Sequence, residues 1–143
     1  MLVVDRLTAV DGIHSYEVNW NLDVEKTVQR GLNLQSDSLQ IFVSEISQNP
    51  VKMDIKYGSE EPKWVGWTAN SVTQGDFRPV YYVTYTLQGK DIRFVTLLLP
   101  SSETNNIVGV EASDCVSDTG IIIKTKDGRE ICLDENKIIG MVE

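Results

Sequence analysis

The sequence lacks most of the chemistry on which enzymes depend. It contains one histidine and two cysteines among 143 residues. A single histidine excludes a histidine-rich metal cluster, and a Ser-His-Asp triad would have to use His14. No GxSxG elbow, phosphate-binding loop, GxGxxG fingerprint or HExxH helix is present. We therefore predict no cofactor and no metal site.

Excess positive charge and long apolar runs are also missing. The chain has 13 basic and 21 acidic side chains, a formal net charge of −8. Nucleic acids and anionic membranes are bound through basic surfaces, so neither is expected as a partner. The longest apolar run, Phe94 to Pro100, is far shorter than the roughly 18 residues of a membrane-spanning helix and predicts a strand. The first ten residues include Asp5 and Arg6 and contain no export signal.

The two cysteines leave two alternatives open. Cys115 and Cys132 lie seventeen positions apart, on either side of a predicted hairpin. This spacing permits a cross-strand disulfide, and it equally permits two free thiols. It does not resemble a zinc site, whose sulfur ligands usually occur in CxxC pairs.

Strand signals occur along almost the whole chain. Alternating and β-branched segments predict strands at 2–9, 13–22, 39–45, 51–57, 80–87, 92–99, 119–126 and 129–133. Hairpins are predicted about Asp11-Gly12, Gln88 to Asp91 and Asp127-Gly128. Residues 24–30 favour a loop or a single turn, and residues 58–79 an irregular segment. The fold prediction is one all-β domain over residues 1–143, an antiparallel β-sandwich.

His14 and Tyr16 are the catalytic candidates. Tyrosine and histidine side chains can act as general acid and base, and positions i and i+2 share one face of a strand, about 7 Å apart. Val18 and Trp20 share that face as well, and a stripe of this composition is typical of a core. The pattern therefore favours an edge histidine beside a packed stripe over a catalytic pair.

Trp64 and Trp67 are the candidates for substrate binding. They lie in the segment 58–79, separated by Val65 and Gly66. Exposed indole rings can stack on sugar faces. The alternative is that both rings fold back and cover the sandwich, because an indole is a large, amphipathic group.

An ordered series of landmarks runs from the opening of the chain to position 100. The first two predicted strands follow the pattern VVDRL…DG.H.YE..W.L between Val3 and Leu22. The later landmarks are Tyr57-Gly58, Pro62, Gly66-Trp67, Pro79, the strand at 80–85 and the strand FVTLLLP at 94–100. In this order they resemble the C-terminal β-domain of the heparinase II/III-like polysaccharide lyases.

The resemblance implies a function for the parent protein and a location. Such lyases cleave uronic-acid-containing polysaccharides, including glycosaminoglycans, by β-elimination. An N-terminal α/α-toroid carries most of their catalytic groups, and the β-domain closes one side of the cleft. The chain would then be a non-catalytic C-terminal piece of a periplasmic or extracellular enzyme, with the toroid and the polysaccharide as its partners. The toroid's Tyr and His residues, and the zinc motif of some members, have no counterpart in this sequence.

Two alternatives from other functional classes stay open. One is a stand-alone carbohydrate-binding module that stacks sugars on Trp64 and Trp67. The other is a self-associating assembly domain that forms a homo-oligomer through an unpaired sheet edge, since such an edge tends to recruit another chain.

Overall fold

The computed structural model describes residues 1–46, 50–70, 75–100, 107–112 and 120–134. These residues form strands and connections, with no helix among them. The strands are β1 (Leu2–Thr8), β2 (His14–Leu22), β3 (Thr27–Arg30), β4 (Asn33–Ser36), β5 (Leu39–Ile46), β6 (Lys52–Tyr57), β7 (Trp67–Ala69), β8 (Phe77–Pro79), β9 (Tyr81–Gly89), β10 (Asp91–Pro100), β11 (Ile107–Ala112), β12 (Gly120–Thr125) and β13 (Glu130–Asp134).

A five-stranded antiparallel sheet lies at the centre of the fold. Its strand order is β1-β10-β5-β4-β3. Strand β10 has neighbours on both sides and is buried on both faces, which explains its continuous apolar sequence. Phe94 and Leu98 point to one face of the sheet, whereas Val95 and Leu97 point to the other. One strand therefore contributes to two cores.

The first core lies between the central sheet and the three-stranded sheet β2-β9-β6. Val83, Tyr85 and Leu87 of β9 are fully buried there, and the ring of Tyr85 lies 5.4 Å from that of Phe94. The hydroxyl of Tyr85 donates a hydrogen bond to the carbonyl oxygen of Leu32 at 2.9 Å. Burial raises the pKa of this hydroxyl, so it stays protonated and its hydrogen bond is kept.

The second core lies on the opposite face of the central sheet. There the sheet β11-β12-β13 supplies Val110 and Ile121, which pack against Phe42, Val95 and Leu97. The guanidinium of Arg93 donates a hydrogen bond to the carbonyl oxygen of Gly120 at 2.7 Å and joins the two sheets. The predicted all-β fold with a β-sandwich arrangement is confirmed, and the part of residues 101–143 that is described forms a separate covering sheet.

Two of the three predicted hairpins are wrong. Strand β1 pairs with β10 in the central sheet, whereas β2 pairs with β9 in the sheet β2-β9-β6, the first covering sheet. The connections at Asp11-Gly12 and at Gln88 to Asp91 are therefore corners at which the chain changes sheets. A hydrogen bond from the amide of Ala9 to the carbonyl oxygen of Lys90, 2.8 Å long, holds the two corners side by side. Of the three predicted hairpins, the one at Asp127-Gly128 is confirmed, since it joins the paired strands β12 and β13.

Two predicted irregular segments contain strands. Part of 24–30 forms β3, which pairs with β4, so the expected loop or turn is wrong there. Within 58–79, β7 and β8 pair as a short hairpin, with Trp67 opposite Pro79. Strands of three or four residues carry too few alternations to stand out in a sequence rich in glycine and proline.

Of the two alternatives for the cysteines, a disulfide or free thiols, the structure shows a disulfide at Cys132, on β13. Cys115 lies outside the described residues. In the part of the chain that the structure covers, no helix is long and apolar enough to cross a membrane.

Candidate functional site

A short backbone bridge closes the loop that carries Trp64. The amide of Val65 donates to the carbonyl oxygen of Ser59 at 2.9 Å, and the reverse hydrogen bond is 3.0 Å long. A further hydrogen bond, from the amide of Val80 to the carbonyl oxygen of Gly66 at 2.7 Å, ties this loop to the start of β9. The loop is therefore attached to the first covering sheet by backbone contacts.

Gly66 makes this close approach feasible. Its φ is +73°, in the left-handed region that side chains disfavour. A Cβ at this position would lie 2.7 Å from the carbonyl oxygen of Val80. Position 66, between the two tryptophans, therefore requires glycine for the close contact with Val80.

Trp64, Trp67 and Phe77 form a group of three contacting rings, here called the aromatic stack. The rings of Trp64 and Trp67 are parallel within 6°, with centroids 5.4 Å apart. Phe77 of β8 meets Trp64 nearly at a right angle, 5.3 Å away. Both geometries are favourable for aromatic rings. The two sequence candidates are thus brought together and supported by a third ring.

The aromatic stack is anchored at one end and exposed at the other. The indole N–H of Trp67 donates to the carbonyl oxygen of Ser59 at 3.2 Å, and the ring is half-buried. Trp64 is 56% exposed and Phe77 is 49% exposed. Exposed aromatic rings that are held in a fixed geometry can bind a ligand without a large loss of side-chain entropy.

A small cleft lies beside the β7–β8 hairpin. It has a volume of about 240 Å³, and its lining includes Tyr57, Asp23 and Arg78. The carboxylate of Asp23 accepts two hydrogen bonds from the guanidinium of Arg78, one of them 2.5 Å long. The hydrogen bonds from Arg78 lower the pKa of the Asp23 carboxyl. Arg78 therefore ties β8 to the end of β2.

His14 and Tyr16 occupy the far end of β2. The Nε2 of His14 donates to the carbonyl oxygen of Asp11 at 2.8 Å, and the side chain is exposed. Its ring lies 6.3 Å from that of Tyr16, tilted by 40°. Tyr16 packs against the first core together with Val18 and Trp20. Neither residue lines the cleft beside the hairpin.

The described residues contain no group of three or more His, Cys, Asp or Glu side chains arranged to hold a metal ion. Sequence reasoning missed Phe77 as a neighbour of Trp64 and Tyr57 as a lining residue of the cleft beside the hairpin. The only signal for Phe77 was its place in the same glycine- and proline-rich segment, since its contact with Trp64 depends on the β7–β8 pairing.

Comparisons with known proteins gave no relative that would assign these residues a role. A scan against protein-family models, a search of curated proteins and a search of solved structures each found no match to the chain. The resemblance to the heparinase II/III-like lyases stays a prediction.

Proposed function

We propose that this chain is a non-catalytic β-sandwich domain of a heparinase II/III-like polysaccharide lyase, and that it contacts the uronate-containing polysaccharide through the aromatic stack. The observation that carries the proposal is the exposed Trp64 ring held by Trp67 and Phe77. The ordered sequence landmarks support the lyase assignment. In the parent enzyme the domain supports the toroid and shapes one side of the cleft.

The geometry favours a binding surface over internal packing for Trp64. A ring that served only to cover the sandwich would be largely buried, as Tyr85 and Phe94 are. Trp64 instead keeps more than half of its surface accessible while its orientation is fixed. Sugar rings present C–H faces that pack on such an indole, and the polar edge of the indole tolerates the surrounding water.

The site residues also favour a non-catalytic role. His14 is exposed and hydrogen-bonded to the backbone of its own turn. It lies at the start of β2, whereas Asp23, which Arg78 of the β7–β8 hairpin contacts, follows the other end of β2. Proton abstraction needs a base within hydrogen-bonding distance of a bound substrate. The catalytic groups therefore belong to another part of the parent enzyme.

Retention of the chain on immobilised uronate polysaccharide tests the binding role. We expect Trp64→Ala to abolish retention and to leave the melting temperature nearly unchanged, because the ring is mostly exposed. Ile131→Ala is the matched control, since Ile131 is also an exposed apolar side chain, at 48%, on the separate sheet β11-β12-β13. Unchanged retention with a melting temperature lowered by several degrees would make Trp64 structural.

Two further measurements test the lyase assignment. An antibody raised against the chain should detect a native product several times larger than 16.0 kDa in the source cells. A product of about that size would favour the stand-alone binding module. The isolated chain should generate no ultraviolet absorbance from unsaturated uronates, and a rise in absorbance would refute the non-catalytic role.

A further inference from the structure

A second cleft lies on the face of the central sheet that β11-β12-β13 covers, next to the second core. Its volume is about 410 Å³, within the range of roughly 300–1,000 Å³ that is usual for ligand sites. The side chains that matter for its chemistry are Arg30, Asn33, Gln35, Gln40, Phe42 and Lys126. We refer to it as the amide groove.

The strand register explains why this part of the sheet face is polar. Leu34 of β4 points into the first core, so its neighbours Asn33 and Gln35 point to the opposite face. Gln35 lies directly across from Gln40 of β5. Further along β5, Phe42 on the same face is buried in the second core. The sheet face is therefore polar at Asn33, Gln35 and Gln40 and apolar at Phe42, and Ile107 and Val108 of β11 line the groove beside them.

The charge of the groove is opposite to that of the whole chain. The chain has a formal net charge of −8, yet the described lining contains two cations, Arg30 and Lys126, and no carboxylate. Both cationic side chains are exposed, and neither forms an ion pair with another residue of the described ranges. An anionic ligand would be attracted to this groove and repelled by most of the remaining surface.

The donor set favours a ligand that carries hydroxyl groups as well as an anion. An arginine guanidinium binds a carboxylate or a sulfate through two parallel hydrogen bonds. The amides of Gln35 and Gln40 can donate to and accept from hydroxyl groups. The Oδ1 of Asn33 already accepts a hydrogen bond from the amide of Val43 at 2.9 Å, which fixes that side chain relative to β5.

The same geometry disfavours an extended peptide. Peptides that bind to sheets usually add a strand to an edge and use backbone hydrogen bonds. Most of the groove lining comes instead from side chains on the faces of β3, β4 and β5, and the backbones of β4 and β5 pair with each other. The edge strand β11 contributes only Ile107 and Val108 to the lining.

We propose that the amide groove binds an anionic saccharide, with Arg30 and Lys126 holding its carboxylate or sulfate group and the glutamines contacting its hydroxyl groups. This inference rests on the proposed carbohydrate-binding function and adds to it a site, separate from the aromatic stack, that selects for charge. The aromatic stack binds sugar rings irrespective of charge, whereas the groove discriminates between acidic and neutral chains.

Calorimetric titration at low salt tests the groove with four probes: a uronate oligosaccharide, the same oligosaccharide with its carboxyl groups reduced, a sulfated neutral oligosaccharide, and a short polyglutamate. We expect the double variant Arg30→Gln/Lys126→Gln to lose at least about tenfold in affinity for an acidic oligosaccharide and nothing for the reduced one. The first and third probes distinguish a carboxylate from a sulfate. Added salt should weaken acidic binding to the native chain.

The control is Lys52→Gln/Lys90→Gln, which changes the net charge equally at two exposed lysines outside the groove lining. An equal loss in both double variants would overturn the proposal, because the effect would then be one of overall charge. Tight binding of polyglutamate that requires Arg30 and Lys126 would also overturn it.

Loss of all saccharide binding in Trp64→Ala alone, with the groove variant unaffected, would overturn the groove and leave the proposed function standing. If only the groove variant loses affinity, the groove stands and the role of Trp64 fails.

Discussion

The two faces of the central sheet are covered to different extents. On the first face, the sheet β2-β9-β6 encloses a core with Val83, Tyr85, Leu87 and Phe94 at or near zero exposure. On the second face, β11 and β12 pack over Phe42 and its neighbours, but the amide groove remains open beside them. Complete covering gives stability, whereas incomplete covering leaves surface that can bind a ligand. Phe94→Ala, Phe42→Ala and Cys132→Ser test this difference, and Gly66→Ala and Asp23→Asn, with smaller expected effects, test the contacts around the aromatic stack on the first face.

Truncating a phenylalanine on each face compares the two cores directly. We expect Phe94→Ala to lower the free energy of unfolding by about 3–5 kcal/mol, since the ring is fully enclosed and contacts Tyr85. Phe42→Ala should fall at or below the lower end of that range, because Phe42 lines the groove and water can enter the space. Urea denaturation of both variants measures the difference. A larger loss for Phe42 would mean that the second core is the main source of stability.

The disulfide at Cys132 belongs to the second covering sheet. A disulfide stabilises chiefly by restricting the unfolded chain, and Cys132→Ser should lower the free energy of unfolding by about 2–4 kcal/mol. Amide hydrogen exchange should quicken more in β12 and β13 than in β9 if the second layer is the less stable one. The native chain treated with a reductant is the control and should behave like the variant. Equal quickening in all three strands would contradict a difference in stability between the layers.

Gly66→Ala tests the backbone that supports the aromatic stack. The new Cβ would meet the carbonyl oxygen of Val80, and the φ of +73° is strained for alanine, so we expect a loss of about 1–3 kcal/mol. Gly12→Ala is the matched control, because its φ is +60° but nothing lies within 4 Å of the added carbon. Gly66→Ala should also change the near-ultraviolet circular dichroism of the tryptophans. Equal losses and unchanged spectra in both variants would show that the close approach at Gly66 has no effect.

The smallest expected effect is a dependence of folding stability on pH, which comes from the ion pair Asp23–Arg78. The pKa of Asp23 is lowered in the folded state, so the pair stabilises the fold above the unfolded-state pKa near 3.8, and this contribution is lost as the pH falls through the lower folded-state value. Urea midpoints of the native chain and of Asp23→Asn should differ at pH 7 and converge in acid. A difference that persists at pH 2 would have to come from another cause.

The sequence predicted the strands better than their partners. Alternation along 13–22 and the apolar run at 94–100 depend on local burial, which a sequence records residue by residue. Pairing depends on where a strand goes after a turn. The same Asp-Gly signal gives a hairpin at Asp127-Gly128 and a corner between sheets at Asp11-Gly12. Nothing within the turn itself distinguishes these outcomes, because the difference is made by the contacts of β1 with β10 and of β2 with β9.

The candidate site was predictable only in part for the same reason. Trp64 and Trp67 stand out because they are close in sequence. Phe77 joins them through a hairpin of two three-residue strands. Arg30 and Lys126 are nearly a hundred positions apart, and only the stacking of β11-β12-β13 on the central sheet brings them to one groove. Long-range packing of this kind leaves no local pattern.

The indole N–H signals of the three tryptophans provide the most direct test of the central claim, that the chain binds polysaccharide through the aromatic stack. A ¹H–¹⁵N spectrum is recorded while a uronate oligosaccharide is added. We predict that the signals of Trp64 and Trp67 shift in a saturable manner, while that of Trp20, whose Nε1 is buried against the first core, stays in place as an internal control. Saturable binding that leaves Trp64 and Trp67 unshifted, or no binding at all, would contradict the account.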